Sequence, residues 1–385
     1  MAVALLLASM AGLVWIATRS DGGEPRPDVE LLASTPTPIP ASSPTPVPPR
    51  WEAERWQKGF AFWDRAAPFG SPESFQALRR LRDVGANTVS PVVTWYVAGP
   101  HDPHLHRGKG TPNEDELMAA VDEARRQGLQ VVLRIHVDCE DGSWRARIDP
   151  YDKDAFFAAY GTVLTYYARL AEEHQVAGMV IGAELVGLTS PANTLSWRSL
   201  IARVRQQFSG FLTYSAQWGS APPSSPTDPY REFQQIEFWD DLDYLGISAY
   251  FELAEGSQPS PPASELLARW EEWRKLQIEP LQARYGKPLL FTEVGYPSSG
   301  EAAHHPWGGG GYGAVNLQLQ AELYSALFQS WSGVPWFRGA YFWFWPTGDY
   351  GVGPTSSDYP PAGKPAEEVI QRWYRWLDDM ERGGM

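Results

Sequence analysis

Two glutamates stand where apolar, strand-like runs end, and they are the groups in this chain best placed to do chemistry. Glu184 closes the run at residues 177–184, and Glu293 closes the run at residues 287–293. A charge at the end of a buried strand is costly unless it is paired or used. Two such carboxylates facing one pocket would supply an acid and a nucleophile for cleaving a glycosidic bond.

Other polar and aromatic side chains also lie near the ends of strand-like runs. The candidates for substrate contact are Trp63, Trp95, Arg134, His136, Trp218, Tyr250, Trp343 and Trp345. Strand side chains alternate, so residues two apart share a face. Alternation predicts shared faces for five sets of residues: Gly182 with Glu184, Phe291 with Glu293, Arg134 with His136, Ser248 with Tyr250, and Tyr341 with Trp343 and Trp345. Aromatic faces stack on pyranose rings, so inward-facing groups of this kind predict a sugar-binding pocket.

The elements that must position these residues alternate between strand and helix. Strands are predicted at residues 59–63, 88–95, 130–137, 178–184, 212–216, 244–250, 289–294 and 339–345. Helices are predicted at residues 72–84, 114–127, 153–173, 195–207, 264–285, 315–332 and 365–380. This order predicts an α/β fold, a (β/α)8 TIM barrel with enlarged βα loops, whose catalytic groups sit at the carboxyl ends of strands. A doubly wound open sheet is disfavoured because no Gly-rich phosphate loop follows the first strand.

Three motifs carry a resemblance to a known family. They are Gly-Ala-Glu-Leu-Val-Gly-Leu-Thr at residues 182–189, Leu-Phe-Thr-Glu-Val-Gly-Tyr-Pro at 290–297, and Tyr-Phe-Trp-Phe-Trp-Pro at 341–346. Over roughly residues 55–375 the chain resembles the retaining glycoside hydrolases of clan A, most closely the family 113 β-mannanases. Ala183 stands where most of the clan has an Asn that contacts the sugar 2-hydroxyl, a change that family 113 tolerates.

The resemblance implies a role for each matching residue. Glu184 matches the general acid/base and Glu293 the nucleophile, while Tyr250 matches a position that often hydrogen-bonds the nucleophile. A Trp near the end of the eighth strand forms the floor of the subsite that binds the cleaved sugar, and Trp343 is favoured over Trp345 for this role. The implied activity is retaining hydrolysis of β-linked glycans, above all β-1,4-mannan or manno-oligosaccharides. Another β-glycan, transglycosylation, or a catalytically silent carbohydrate-binding barrel are the alternatives.

This chemistry makes demands on the two glutamates. Glu184 must be protonated, so a neighbouring negative charge or burial must raise its pKa. Glu293 must be ionised, which Arg134 and Tyr250 could favour. Retention of configuration requires the two carboxyl groups about 5–5.5 Å apart.

The composition limits which classes of binding partner are compatible with this chain. The 385 residues carry a net charge of −14, which repels nucleic acid and anionic membrane surfaces. Cys139 is the single cysteine, so no intrachain disulfide can form. No Cys/His cluster has metal-ligand spacing, and we therefore expect no metal and no cofactor. A monomer is expected, with a neutral β-linked poly- or oligosaccharide as its partner.

The chain divides into three segments. Residues 1–18 are apolar and about the length of a signal-peptide core, slightly short for a membrane span. Residues 19–50 are rich in Pro, Thr and Ser and predict a disordered stalk. Residues 51–385 form the predicted catalytic domain. The protein is thus expected outside the cell or at its surface, and the sequence leaves open whether residues 1–18 are a cleaved signal or a membrane anchor.

Overall fold

A computed structural model describes residues 55–225, 228–256, 259–309 and 313–383 of the chain. The predicted signal or anchor at residues 1–18 and the predicted stalk at residues 19–50 lie outside these ranges. Both remain predictions.

Eight parallel strands close into a barrel. The strands are β1 (Gln57–Trp63), β2 (Thr88–Val97), β3 (His106–Arg107), β4 (Gln130–Cys139), β5 (Gly178–Ala183), β6 (Phe211–Gln217), β7 (Leu245–Ser248), β8 (Leu289–Val294) and β9 (Phe337–Pro346). The short β3 pairs antiparallel with the end of β2 and stands outside the barrel. The barrel closes because β1 pairs with both β2 and β9. The predicted (β/α)8 TIM barrel is confirmed, with each predicted strand overlapping an observed one.

Helices fill the connections between the strands. They are α1 (Pro72–Asp83), α2 (Glu114–Arg126), α3 (Lys153–Glu173), α4 (Thr194–Arg205), α5 (Glu232–Gln235), α6 (Ala263–Trp273), α7 (Glu279–Tyr285), α8 (Leu317–Trp331) and α9 (Pro365–Gly383). Side-chain caps define several starts; the Ser71 hydroxyl accepts from the Ser74 amide, and Pro72 follows it in the first turn. Among the described helices, none is long and apolar enough to cross a membrane.

The predicted helix at residues 264–285 is interrupted. A π-helical turn, Arg274–Ile278, separates α6 from α7. Pro280 lies in the first turn of α7 and has no amide hydrogen to continue the α-helical ladder. The wider turn accommodates that missing donor.

The core has an inner and an outer layer. Inside the barrel, buried side chains pack on one another: Val132, Ala177, Val180, Phe211, Tyr244, Leu290 and Tyr341. Aromatic rings dominate the layer between strands and helices, where Phe291 lies 4.7 Å from Trp331 and 5.7 Å from Trp270 between ring centroids. Most of the aromatic side chains therefore build the scaffold that holds the strand ends in place.

Strict alternation fails at the ends of three strands, because each carries one extra residue. Four residues of β5 (180–183) oppose three of β6, four of β8 (290–293) oppose three of β7, and four of β9 (342–345) oppose three of β1. A β-bulge of this kind turns the following side chain to the other face. The predicted shared faces of Gly182 with Glu184 and of Phe291 with Glu293 are therefore wrong. Gly182 and Phe291 face the helices.

Candidate active site

The two glutamates meet in one cavity of about 570 Å³ at the carboxyl ends of the strands. Glu184 is 8% exposed and Glu293 is 7% exposed. The other lining residues come mainly from strand ends and the loops beyond them: Trp144, Gln217, Trp218, Gly219, Ser220, Tyr250, Glu252, Trp307, Trp343 and Tyr359. The cavity therefore combines two nearly buried carboxyl groups with aromatic walls.

Glu293 is held by two strong donors. The Tyr250 hydroxyl donates to its Oε1 at 2.6 Å, and Arg134 Nη1 donates to its Oε2 at 3.0 Å. Burial, followed by the Glu293 charge, holds the pKa of Tyr250 well above its usual range, so the phenol keeps its proton. The positive charge of fully buried Arg134 faces the carboxylate directly. Both bonds complement a negatively charged oxygen and fix its direction.

Glu184 has the opposite environment. Burial raises the pKa of Glu184 to about 7, and the nearby Glu293 charge adds to the rise. Arg145 and a hydrogen bond from Ser248 oppose it. A carboxyl group with this pKa carries a proton in about half of the molecules at neutral pH. Glu184 is thus suited to give a proton, while Glu293 beside it is built to carry charge.

The backbone of Glu184 is also unusual. Its φ angle is 55°, in the left-handed region that side-chain-bearing residues seldom occupy. Its amide donates to the Ser215 carbonyl at 2.9 Å, and that bond ties the residue to the end of β6. Together with the bulge in β5, this conformation turns the carboxyl group away from the helices and into the cavity.

His136 is neutral and aimed at the same carboxylate as Arg134. Arg145 Nη1 donates to its Nδ1 at 2.9 Å, so Nδ1 accepts and Nε2 bears the hydrogen. Burial, then the charges of Arg145 and Arg134, hold the pKa of His136 well below its usual value. Its Nε2 lies 3.9 Å from Glu293 Oε2. The predicted shared face of Arg134 and His136 is confirmed.

Arg145 was not among the predicted site residues. It lies in the 3₁₀ turn Arg145–Arg147 after β4, and its Nε pairs with Asp138 Oδ1 at 2.8 Å. Asp138 lies near the end of β4 and anchors this arginine. Loop residues have no periodic pattern, so no sequence signal could have brought Arg145 to the cavity.

Aromatic rings surround the carboxyl groups. Trp343 lines the main cavity and also a second one of about 310 Å³, which Trp63 and His136 share. The ring centroids of Trp63 and Trp343 are 5.1 Å apart, and His136 stacks on Trp343 at 6.1 Å. Trp218 packs edge-on against Tyr250 at 5.2 Å. The structure thus brings four predicted aromatic residues together: Trp63, Trp218, Tyr250 and Trp343.

Two rim tryptophans were missed by the sequence reasoning. Trp144 and Trp307 line the main cavity and are 40% and 39% exposed. Trp307 lies 5.6 Å from Trp218, and Trp144 lies 5.7 Å from Tyr230. Trp307 opens a Gly-rich run at residues 307–313. Its ring forms part of the cavity wall, and residues 310–312 of that run lie outside the described ranges.

Two other predicted contacts lie elsewhere. Trp95 points toward the helices, where its Nε1 donates to the Tyr167 hydroxyl at 3.3 Å, because it is Thr94 and Tyr96 that face the second cavity. Trp345 packs on Phe60 with centroids 5.3 Å apart, and the Arg80 guanidinium lies 5.7 Å from its ring. The bulge in β9 separates it from the face of Trp343. Placing Trp95 and Trp345 at the cavity was therefore wrong.

The family follows from comparison with known proteins. The model of Glycoside Hydrolase Family 113 matches residues 59–364. The chain belongs to this family. It is a glycoside hydrolase, as the resemblance of its motifs had implied.

Solved structures of family 113 proteins superpose on this hydrolase. A complex of a family 113 β-1,4-mannanase is 27% identical, with a TM-score of 0.72 over 83% of this chain and 99% of the other. The family 113 β-mannanase of Alicyclobacillus acidocaldarius, in complex with ManMIm, is 27% identical with a TM-score of 0.71 over 84% and 98%. A family 5 mannosidase of Rhizomucor miehei, at 13% identity and a TM-score of 0.58 over 86% and 95%, shares the fold. No curated protein matches this hydrolase significantly.

The described part of the hydrolase has no group of three or more His, Cys, Asp or Glu side chains that could hold a metal ion.

Proposed function

We propose that this hydrolase cleaves β-1,4-mannan or manno-oligosaccharides with retention of configuration. The observation that carries the proposal is the contrast between its two buried glutamates. One has a pKa raised to about 7, and the other accepts hydrogen bonds from an arginine and a tyrosine. The choice of mannan rests on family 113 proteins of similar structure that are β-1,4-mannanases.

The proposed reaction has two steps. Glu184 donates its proton to the glycosidic oxygen while Glu293 attacks the anomeric carbon, forming a glycosyl-enzyme and releasing the leaving sugar. Glu184, now ionised, takes a proton from water, which attacks the same carbon and frees Glu293. Arg134 and Tyr250 hold the attacking carboxylate in line. Trp343 forms the floor on which the reacting sugar stacks.

The substrate is tested with purified full-length protein and a panel of β-1,4-mannan, glucomannan, β-1,4-glucan, β-1,3-glucan and xylan, scored for new reducing ends. We expect release from the mannans. Release only from another glycan would overturn the choice of mannan and keep the two glutamate roles. No release from any of them by folded protein would favour a carbohydrate-binding barrel.

The mechanism has its own test. Proton NMR of the first product should show the β-anomer before mutarotation, as retention requires. A 2-deoxy-2-fluoro-mannosyl fluoride should label one peptide, containing Glu293, by mass spectrometry. An α-anomer as the first product, or a label on another residue, would refute the proposed double displacement.

We also propose that the protein is exported and acts outside the cell or at its surface. This rests on the apolar residues 1–18 and the Pro-rich residues 19–50. N-terminal sequencing of protein from culture medium and from membranes distinguishes a cleaved signal from an anchor. Light scattering of the same samples tests the expected monomer.

A further inference from the structure

We propose that Glu232 is a positioning residue, which acts through Tyr214 on the peptide that follows the acid, Glu184. The inference deepens the proposed function and rests on Glu184 being the proton donor. Glu232 does not line the cavity; it begins the short α5 and is 1% exposed.

Glu232 accepts three hydrogen bonds from three separate positions. Tyr214 donates its hydroxyl to Oε1 at 2.8 Å, and the Thr189 hydroxyl donates to the same oxygen at 2.7 Å. The Gln217 amide donates to Oε2 at 2.7 Å. Burial raises the pKa of Glu232 to about 7, and its three hydrogen bonds oppose that rise. A buried carboxyl group that accepts this many donors is a directional anchor. It joins β6 to the loop that follows Glu184.

The connection to the acid runs through one tyrosine. The Leu185 amide donates to the Tyr214 hydroxyl at 2.7 Å, and that hydroxyl in turn donates to Glu232. Leu185 directly follows Glu184, whose own amide is bound to the Ser215 carbonyl. The amides on both sides of the Glu184 α-carbon are therefore held by β6.

This arrangement explains how Glu184 keeps a left-handed backbone. A side-chain-bearing residue seldom occupies that region and persists there only where its surroundings impose it. The Ser215 carbonyl fixes one peptide, and the Tyr214–Glu232 pair fixes the other. Without the restraint from the Tyr214–Glu232 pair, the Glu184 carboxyl group is no longer directed toward the glycosidic oxygen.

The test uses Glu232→Gln and Tyr214→Phe, with Tyr160→Phe as the matched control. Tyr160 is fully buried like Tyr214, and its hydroxyl donates to the Ile181 carbonyl at 2.6 Å, outside the connection to Leu185. Glu232→Gln keeps the size of the side chain but presents an amide N–H toward one of the donors. Tyr214→Phe keeps the ring and loses only the bridging hydroxyl.

The readout is dependence on the leaving group. Mannan needs the proton from Glu184, whereas a dinitrophenyl β-mannoside, with a stable phenolate leaving group, does not. Misplacing a catalytic group by about 1 Å costs on the order of 100-fold. We expect both variants to lose roughly 10- to 100-fold in kcat/KM on mannan, and less than about threefold in kcat/KM on the aryl mannoside, because kcat/KM reports only the steps up to the glycosyl-enzyme. Tyr160→Phe should show no such split.

A second measurement does not depend on activity. The Leu185 amide, followed by hydrogen exchange in protein labelled with ¹⁵N-leucine, should lose protection in both variants and keep it in Tyr160→Phe. A double variant should be no worse than the worse single one, because both residues act through one connection. Equal losses on both substrates, or unchanged protection of Leu185, would overturn the proposal. A wild type that cleaves neither substrate would instead refute the proposed function, and the exchange experiment would still decide the role of Glu232.

Discussion

Raising the pH should switch off this hydrolase on mannan, because it removes the proton from Glu184. Burial, with the Glu293 charge, raises the pKa of Glu184 from 4.5 to about 7. At pH 7 about half of the molecules then carry the proton, against about 0.3% for an ordinary glutamate. From about pH 7 to about pH 9 the protonated fraction falls about 50-fold. We expect kcat/KM on mannan to fall by the same factor.

The assay is the pH dependence of kcat/KM on mannan, run beside an aryl β-mannoside with a dinitrophenolate leaving group. The basic limb should have its midpoint near pH 7 on mannan and be absent on the aryl substrate, which needs no acid. Ser248→Ala should move the limb to higher pH, because the hydrogen bond from Ser248 lowers the pKa of Glu184. A limb centred near the ordinary value of 4.5, or one of equal size on both substrates, would refute this account of Glu184.

Three further predictions test the roles of single residues. Glu293→Gln should reduce kcat by at least about 10³-fold with the fold intact by circular dichroism, because it removes the nucleophile; activity unchanged per folded molecule would make Glu293 structural. Glu184→Gln should raise the free energy of unfolding at about pH 8 by up to about 3 kcal/mol and leave it unchanged at about pH 4. The reason is that ionising a buried carboxyl group with a raised pKa destabilises the fold; this cost is absent below pH 4.5 and grows as the pH rises to about 7. Equal effects at both pH values in urea titrations would contradict the prediction. Trp345→Ala should destabilise the protein by about 3–5 kcal/mol with little change in kcat per folded molecule. Trp343→Ala should instead lower kcat/KM with a smaller loss of stability. The reverse pattern in melting and kinetic measurements would place Trp345 at the substrate.

The barrel could be predicted because its strands and helices are marked by composition. Apolar runs ended by polar or aromatic residues predicted all eight barrel strands, and periodic apolar residues predicted the helices between them. The interruption between α6 and α7 was missed, although Pro280 marks it in the sequence. A proline within a helical pattern was outweighed by the periodicity on both sides of it.

The site was predictable in part. Glu184 and Glu293 stand out because a charge at the end of an apolar run is rare, and the structure brings them to one cavity. Arg145, Trp307 and Glu232 were not found, because each reaches its place through a loop or a short helix with no periodic pattern. Trp345 was misplaced for a different reason. A β-bulge depends on the register between neighbouring strands, which a single sequence does not display.

The extra residue in β5, β8 and β9 has a consequence for how the molecule can change. Below each bulge, the strand obeys the alternation that the barrel's packing demands. Above it, the direction of the side chain is set by local contacts, such as the hydrogen bonds from the Glu184 and Leu185 amides to β6. The residues that pack the barrel and the residues that orient the catalytic side chains therefore occupy separate stretches of the same strand. Core positions below the bulges can vary in size without turning Glu184 or Glu293, while deletion of one residue at the bulge of β5 or β8 would leave the barrel closed and point the carboxylate at the helices.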